Sequence, residues 1–283
     1  MSFDQTRIPK ELIGALKEKR CAVFVGAGLS ISSGLPTWKD LINELIAEVA
    51  NLPFNTAGDV EDYKKLIDDP SKYLMLAQDI KDSLGKVFFD YLTRRFTDQK
   101  IKPTKNHELL INLPLNFIIT TNYDNLIEKA YVAKYLDIPP TLIFSQSKDI
   151  AYKLWNREYF VLKAHGDVRI NKEQIIMTEN DYREILFKSP GFQSALQVMF
   201  STNTILFIGT SFTDPDFILM MRFLHTAYHG GGPTHYMLIN EKEGLNVEAR
   251  RHMQDFNLHT IRYNPDNNFI QITQFLEFLN ATV

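Results

Sequence analysis

The sequence predicts an α/β fold: a doubly wound parallel sheet with helices on both faces and a helical insert. Three observations carry that prediction. Short apolar runs alternate with helical stretches along much of the chain, the pattern of a parallel sheet. Polar motifs stand directly after several of these runs, where open α/β sheets bind ligands. The first run, Ala22 to Val25, leads straight into a Gly26-Ala27-Gly28 turn.

Each element has its own signal. Residues 8–20 read as an amphipathic helix with Leu12, Ile13 and Leu16 on one face. After the first strand, Leu41, Ile42, Leu45, Ile46 and Val49 recur at helical spacing between Asp40 and Ala50, which predicts packing on the sheet. Residues 51–105 are more polar and lack clear strand runs; they read as helices over Val60–Asp68 and Tyr73–Phe96, an insert or cap over the ligand site. Strand signals return at Phe117–Thr120, Tyr159–Lys163, Ile205–Gly209, Tyr236–Ile239 and Thr260–Tyr263. Helices are expected at Tyr123–Leu136, Pro190–Phe200, Pro215–Tyr228 and Ile270–Leu279, with a glycine loop from His229 to Pro233. There is no internal repeat, and residues 1–283 read as one domain.

The glycine turn suits an anion. Gly26 and Gly28 let a backbone come close to a phosphate, and a following helix start would offer free N–H groups and a positive dipole end. Strand, turn and helix start together read as the phosphate site of a Rossmann-like nucleotide fold, with a purely structural turn as the alternative. The common G-x-G-x-x-G spacing fails, because Ile31 stands at its third glycine. The Walker P-loop fails too, since no Gly-Lys-Ser/Thr follows.

Composition narrows the class. The chain has 283 residues, 45% hydrophobic and 23% charged, enough for a large core. Its net charge of −3, from 31 basic and 34 acidic residues, gives no electrostatic case for nucleic acid. The start has no apolar signal-peptide core, and no run approaches the roughly 18 apolar residues of a membrane helix. A cytoplasmic protein away from membranes is expected. The single cysteine, Cys21, forms no intramolecular disulfide and reads as a small buried apolar residue.

The longer pattern is more specific than the turn. Gly26-Ala-Gly-Leu-Ser30 followed by Gly34-Leu-Pro36 resembles the opening of the sirtuin NAD-binding family. Thr120-Thr-Asn-Tyr-Asp124, Lys163-Ala-His-Gly166 and Ile208-Gly-Thr-Ser-Phe212 match later sirtuin motifs in the same order, and Leu238-Ile-Asn240 is a fifth match near the adenosine end. These matches run from about residue 22 to 240. The resemblance implies NAD as substrate and a site that breaks the nicotinamide–ribose bond through an oxocarbenium-like transition state. One cysteine rules out the four-cysteine zinc ribbon of the protein-deacylating sirtuins, so no metal is expected. Where those proteins carry Asp-Phe-Arg, this chain has Thr37-Trp38-Lys39, and a lysine does not reproduce the arginine fork.

By this resemblance Asn122 lies beside the ribose and positions the attacking group, and His165 is the general base. Asn122 or Asp124 also reads as a helix N-cap, with Asp124 open to both roles. Asp167 is open between orienting the His165 ring and capping the next turn. Ser30 is expected to bond a phosphate, to cap the following helix, or both. Gly26, Ala27, Gly28, Thr121, Gly209, Thr210, Ser211 and Asn240 complete the cofactor-binding set, while Asp214 reads as an N-cap ahead of Pro215. The other histidines match no family motif.

Zinc-free sirtuin-like proteins of this kind resemble bacterial antiviral effectors that destroy NAD. The expected activity is an NAD+ glycohydrolase giving nicotinamide and ADP-ribose or a cyclic isomer. Such an activity needs gating, by a homo-oligomer or by a sensor protein or domain. The alternatives are an NAD-dependent deacylase or ADP-ribosyltransferase, and a non-catalytic module that binds NAD or ADP-ribose. A hydride-transferring oxidoreductase ranks last, because its glycine spacing is missing.

Overall fold

The computed structural model describes residues 2–53, 57–212, 221–222, 232–242 and 245–283. The expected Pro215–Tyr228 helix, its Asp214 cap and the His229–Pro233 loop fall largely outside them. Seven strands form one sheet: β1 Cys21–Val25, β2 Ile118–Thr120, β3 Thr141–Ile143, β4 Val161–Lys163, β5 Thr204–Ile208, β6 His235–Asn240 and β7 Leu258–Tyr263. Their order is β3-β4-β2-β1-β5-β6-β7, and every neighbouring pair is parallel. The fold is the doubly wound α/β architecture that the sequence predicts.

Burial explains the sequence pattern of the strands. All five residues of β1 are buried, because helices cover both faces of the sheet. On one face Val23, Val25, Ile118, Leu206 and Leu238 pack against α1 (Lys10–Lys17), α6 (Lys105–Leu110) and α12 (Asp266–Thr282). On the other, Phe24, Ile119, Leu162, Phe207 and Met237 pack against α10 (Pro190–Thr202) and α9 (Glu179–Lys188). Cys21 is fully buried, and burial pushes its thiol up to about 12, so it behaves as a small apolar residue.

A third apolar cluster stands apart from the sheet. It joins α2 (Trp38–Ala50), α3 (Ala57–Leu66), α4 (Tyr73–Leu84) and α5 (Lys86–Phe96), so Leu41, Ile42, Leu45, Ile46 and Val49 pack into this helical bundle and not on the sheet as their spacing predicted. Tyr123, Leu126, Val168, Ile175 and Met177 tie this bundle to the segments after β2 and β4. The Tyr73–Phe96 stretch is two helices rather than one, because Gly85 sits at φ 53° between α4 and α5. β3 is the strand that the sequence reading lacks; it lies at the sheet edge, with Thr141 part-exposed and only Leu142 and Ile143 buried. α7 (Leu126–Tyr135), α8 (Ser147–Asn156) and α11 (Asn246–Phe256) complete the described helices. No helix among the described residues is long and apolar enough to cross a membrane.

Candidate active site

Strand register brings distant motifs together. Val25 of β1 pairs with Thr120 of β2 and Ile208 of β5, and Thr120 pairs with Lys163 of β4. The four carboxyl ends are therefore level. Gly26, Thr121, Ala164 and Gly209, the next residues of each chain segment, emerge at one edge.

The glycines answer first to one another. A Cβ on Gly26 would lie 2.6 Å from the Gly209 carbonyl oxygen, and one on Gly28 would lie 2.8 Å from the Gly209 Cα. Gly209 has φ 76°, and a Cβ there would meet the Leu29 nitrogen at 2.5 Å. The Gly28 N–H donates to the Gly209 carbonyl at 2.8 Å, and the Gly26 N–H to Ile208 at 3.0 Å. The turn is thus a backbone-to-backbone contact between the ends of β1 and β5. The expected helix start is absent as well. Two 3₁₀ turns, Ala27–Leu29 and Ile31–Ser33, follow the glycines, and the Ser30 N–H is spent on the Ala27 carbonyl. The next α-helix after the turn, α2, waits until Trp38, where Thr37 and Asp40 form its capping box. A long helix with free N–H groups therefore does not follow the turn.

Beside the turn lies a pocket open to solvent, with an empty volume of ≈ 480 Å³. Ala27, Ser30, Thr121, Asn122, Asp124 and His165 line it, all singled out from sequence. Leu35, Trp38, Leu41 and Phe96 supply an apolar wall, brought by α2, the segment before it and α5. Helical periodicity explained Leu41 as core, but which face met the site was not readable. Trp38 stacks on Tyr73 at 6.4 Å between centroids, while Lys39 turns away to pair with Asp68 at 2.6 Å.

The polar groups form one connected set. Asn122 Nδ2 donates to the Gly26 carbonyl and to Ser30 Oγ, both at 3.2 Å. Ser30 Oγ donates to Asp124 Oδ2 at 3.0 Å. Asp124 lines the site and its Oδ1 accepts the Leu126 N–H at 2.9 Å, but the N-cap position of α7 is Asn125, not Asn122 or Asp124. Ser30 caps no helix; its hydroxyl is held by the site itself. All three side chains are buried.

Beneath them lies a charged layer that sequence reading did not assign. Lys163, 1% exposed, donates to the Asp124 carbonyl and stands 3.7 Å from Glu128. Arg169 bridges Glu128, at 3.2 Å, to Asp167. Asp167 also accepts the Arg169 N–H at 2.8 Å, so of its two expected roles it caps the turn. Burial pushes the Asp167 carboxyl up, but the Arg169 hydrogen bonds and the Lys163 charge outweigh it and hold it below its ordinary value.

His165 follows β4 in a turn that requires Gly166 at φ 84°. Its Nε2 lies 3.2 Å from the hydroxyl of Tyr182, a residue the sequence reading passed over. Burial pushes the imidazole down to about 3, against the nearby Asp181 charge, which raises it.

Gly209 braces the site from behind, and Thr210, Ser211 and Asn240 stand at the ends of β5 and β6 outside the pocket lining. Thr210 Oγ1 is buried with no hydrogen-bond partner among the described residues. No cluster of His, Cys, Asp and Glu suited to a metal ion is present among those residues.

Similarity to known proteins assigns the chain a family. A family model described as "SIR2-like domain" matches residues 116–261, more than half of the chain. The chain is 31% identical over 284 aligned residues to an "NAD(+) hydrolase ThsA" of Bacillus cereus (strain MSX-D12), covering 95% of this chain and 56% of that protein. It is 30% identical to an "NAD(+) hydrolase ThsA" of Cytobacillus dafuensis, covering 83% of this chain and 44% of that protein. A "Defense-associated sirtuin 2" of Bacillus subtilis is 28% identical over 76% of this chain and 20% of its own length. The chain spans about half the length of the two hydrolases it matches. With its level strand ends, glycine contact and matched family model, the chain belongs to the SIR2-like domain family.

Proposed function

We propose that this chain is an NAD+ glycohydrolase that cleaves the nicotinamide–ribose bond to release nicotinamide and ADP-ribose. The observation that carries the reading is the convergence of Ser30, Asn122, Asp124 and His165 on one pocket at the carboxyl edge of the sheet. Similarity to two NAD(+) hydrolases over most of the chain supports the same substrate. Similarity to a defense-associated sirtuin supports a role as an NAD-depleting effector in antiphage defence.

Water adds to ribose C1′ as the C1′–nitrogen bond breaks; NAD+ and water become nicotinamide, ADP-ribose and one proton. Asn122 orients the water or a ribose hydroxyl, because a neutral amide does so without competing for charge. Asp124 favours the positive charge that develops on the ribose. His165 accepts the proton: burial lowers its pKa from the ordinary value, so the ring is neutral near pH 7 and carries a lone pair that can accept. Ala27, Ser30 and Thr121 bound the ribose and phosphates, and Gly26, Gly28 and Gly209 hold that wall in place. Thr210, its buried hydroxyl without a partner among the described residues, continues the surface with Ser211 and Asn240 toward the adenosine end.

In this reading residues 1–283 act as one domain, with residues 51–105 as the cap that supplies Phe96 to the pocket. Unchecked NAD+ hydrolysis would be toxic, so a second copy or a sensor gates it in the cytoplasm. The test is release of nicotinamide and ADP-ribose from NAD+ across a range of protein concentrations. Asn122→Ala and His165→Ala are expected to lower turnover by roughly 100-fold or more, with melting temperatures near wild type. Full activity in both variants would overturn the site; tight NAD+ binding without turnover at any concentration would favour a binding module.

A further inference from the structure

We propose that Tyr182 is the positioning residue of His165, its hydroxyl holding the imidazole in one tautomer and one orientation at the pocket wall. The proposal rests on His165 being the base. The two rings meet edge-on, 5.3 Å apart at 88°, with the Tyr182 hydroxyl 3.2 Å from His165 Nε2. Both residues are buried, 6% and 7% exposed.

The chain between them is fastened so that Tyr182 returns to the ring. The Ile176 N–H donates to the His165 carbonyl at 3.1 Å, and the Tyr123 hydroxyl donates to the Ile176 carbonyl at 2.7 Å. Thr178 and Asp181 form the capping box that starts α9, and the Tyr182 N–H donates to the Thr178 carbonyl at 3.1 Å. Lys81 of α4 holds Asp181 at 2.8 Å in a pair largely withdrawn from solvent. Asp167, the nearest acid in sequence, is occupied by Arg169.

The chemistry of the contact selects a tautomer. If the hydroxyl donates to Nε2, the neutral ring carries its proton on Nδ1; if Nε2 donates, the proton stays there. If the hydroxyl donates, the ring's one lone pair is spent on Tyr182; only with Nε2 donating does Nδ1 keep its lone pair for a proton, so a base needs the second arrangement, and reversing it removes the base without moving the ring.

Tyr182→Phe keeps the ring and its packing while deleting the hydroxyl. The full chain with 15N-labelled histidine is examined at pH 7 by nitrogen–proton correlation, His165 being assigned by its loss in His165→Ala. Wild type is expected to give the shifts of one neutral tautomer, and Tyr182→Phe the averaged shifts of two. In the NAD+ assay kcat is expected to fall roughly 10–100-fold, with KM within about 2-fold. An unchanged His165 spectrum in Tyr182→Phe overturns the proposal. Averaged shifts with an unchanged kcat, in a chain that His165→Ala inactivates, overturn it as well. Full activity in His165→Ala overturns the base assignment instead, so the two failures are distinct.

Discussion

Asn122, Ser30 and Asp124 show how much one side chain does at this site. The Asn122 amide spends its two protons on Gly26 and Ser30, and Ser30 passes its own to Asp124. Removing the Asn122 amide leaves the Ser30–Asp124 bond standing, so the loss is local, about 1–2 kcal/mol of stability. The glycines behave differently. Gly209 combines a positive φ with backbone neighbours on the side where a Cβ would point. Gly209→Ala is therefore expected to lower stability by about 2–4 kcal/mol, read as a fall in melting temperature. A melting temperature equal to wild type would mean that the β1 and β5 ends are not in this contact. Residue identity made these positions legible, since Gly-Ala-Gly and Gly-Thr-Ser are recognisable strings. Their physical reason was not legible: the expected room for a phosphate is, at Gly26 and Gly28, room for another strand's backbone.

At the scale of elements, the buried charges behind the site link β4 to α7 and to the turn after β4. Lys163 is held between the Asp124 carbonyl and Glu128, and Glu128 shares its charge with Arg169. Taking one partner from a buried pair leaves the other uncompensated. Lys163→Met is expected to cost about 3–5 kcal/mol in chemical unfolding, with a weaker effect from Arg169→Met, whose side chain is 38% exposed. Equal, small losses for both would mean that solvent reaches Glu128 freely. Sequence patterning located α2, α10 and the central strands, α2 and α10 by an apolar stripe at helical spacing and the strands by short apolar runs. It lacked β3 at the sheet edge, and it ran α4 into α5 across Gly85. Tyr182 went unread for a similar reason. The sequence reading has no helix at α9, and the role of Tyr182 appears only once that helix is placed against His165.

Three buried histidines set the behaviour of the whole molecule in acid. Burial pushes His107 and His235 down to about 4 and His165 to about 3, from an ordinary 6.5. Each folded-state value lies below the unfolded one, so between them the unfolded chain binds more protons. The stability they confer is complete above about pH 6.5 and is lost as pH falls to about 4 for two of them and about 3 for His165. Each contributes a slope of roughly 1.4 kcal/mol per pH unit in its window. Melting temperature is expected to fall steeply below pH 6, and His235→Gln to flatten that fall. A profile level down to pH 4 would mean that these rings are solvated. At this scale the sequence by itself determined the fold class and the family, because strand–helix alternation and ordered motifs survive as local patterns. Tertiary structure alone decided which groups meet: a parallel register leveled the ends of β1, β2, β4 and β5, so residues as far apart as Ser30 and Asp124 share a hydrogen bond. Contacts of that kind depend on strand order and helix rotation, which no local stretch of sequence encodes.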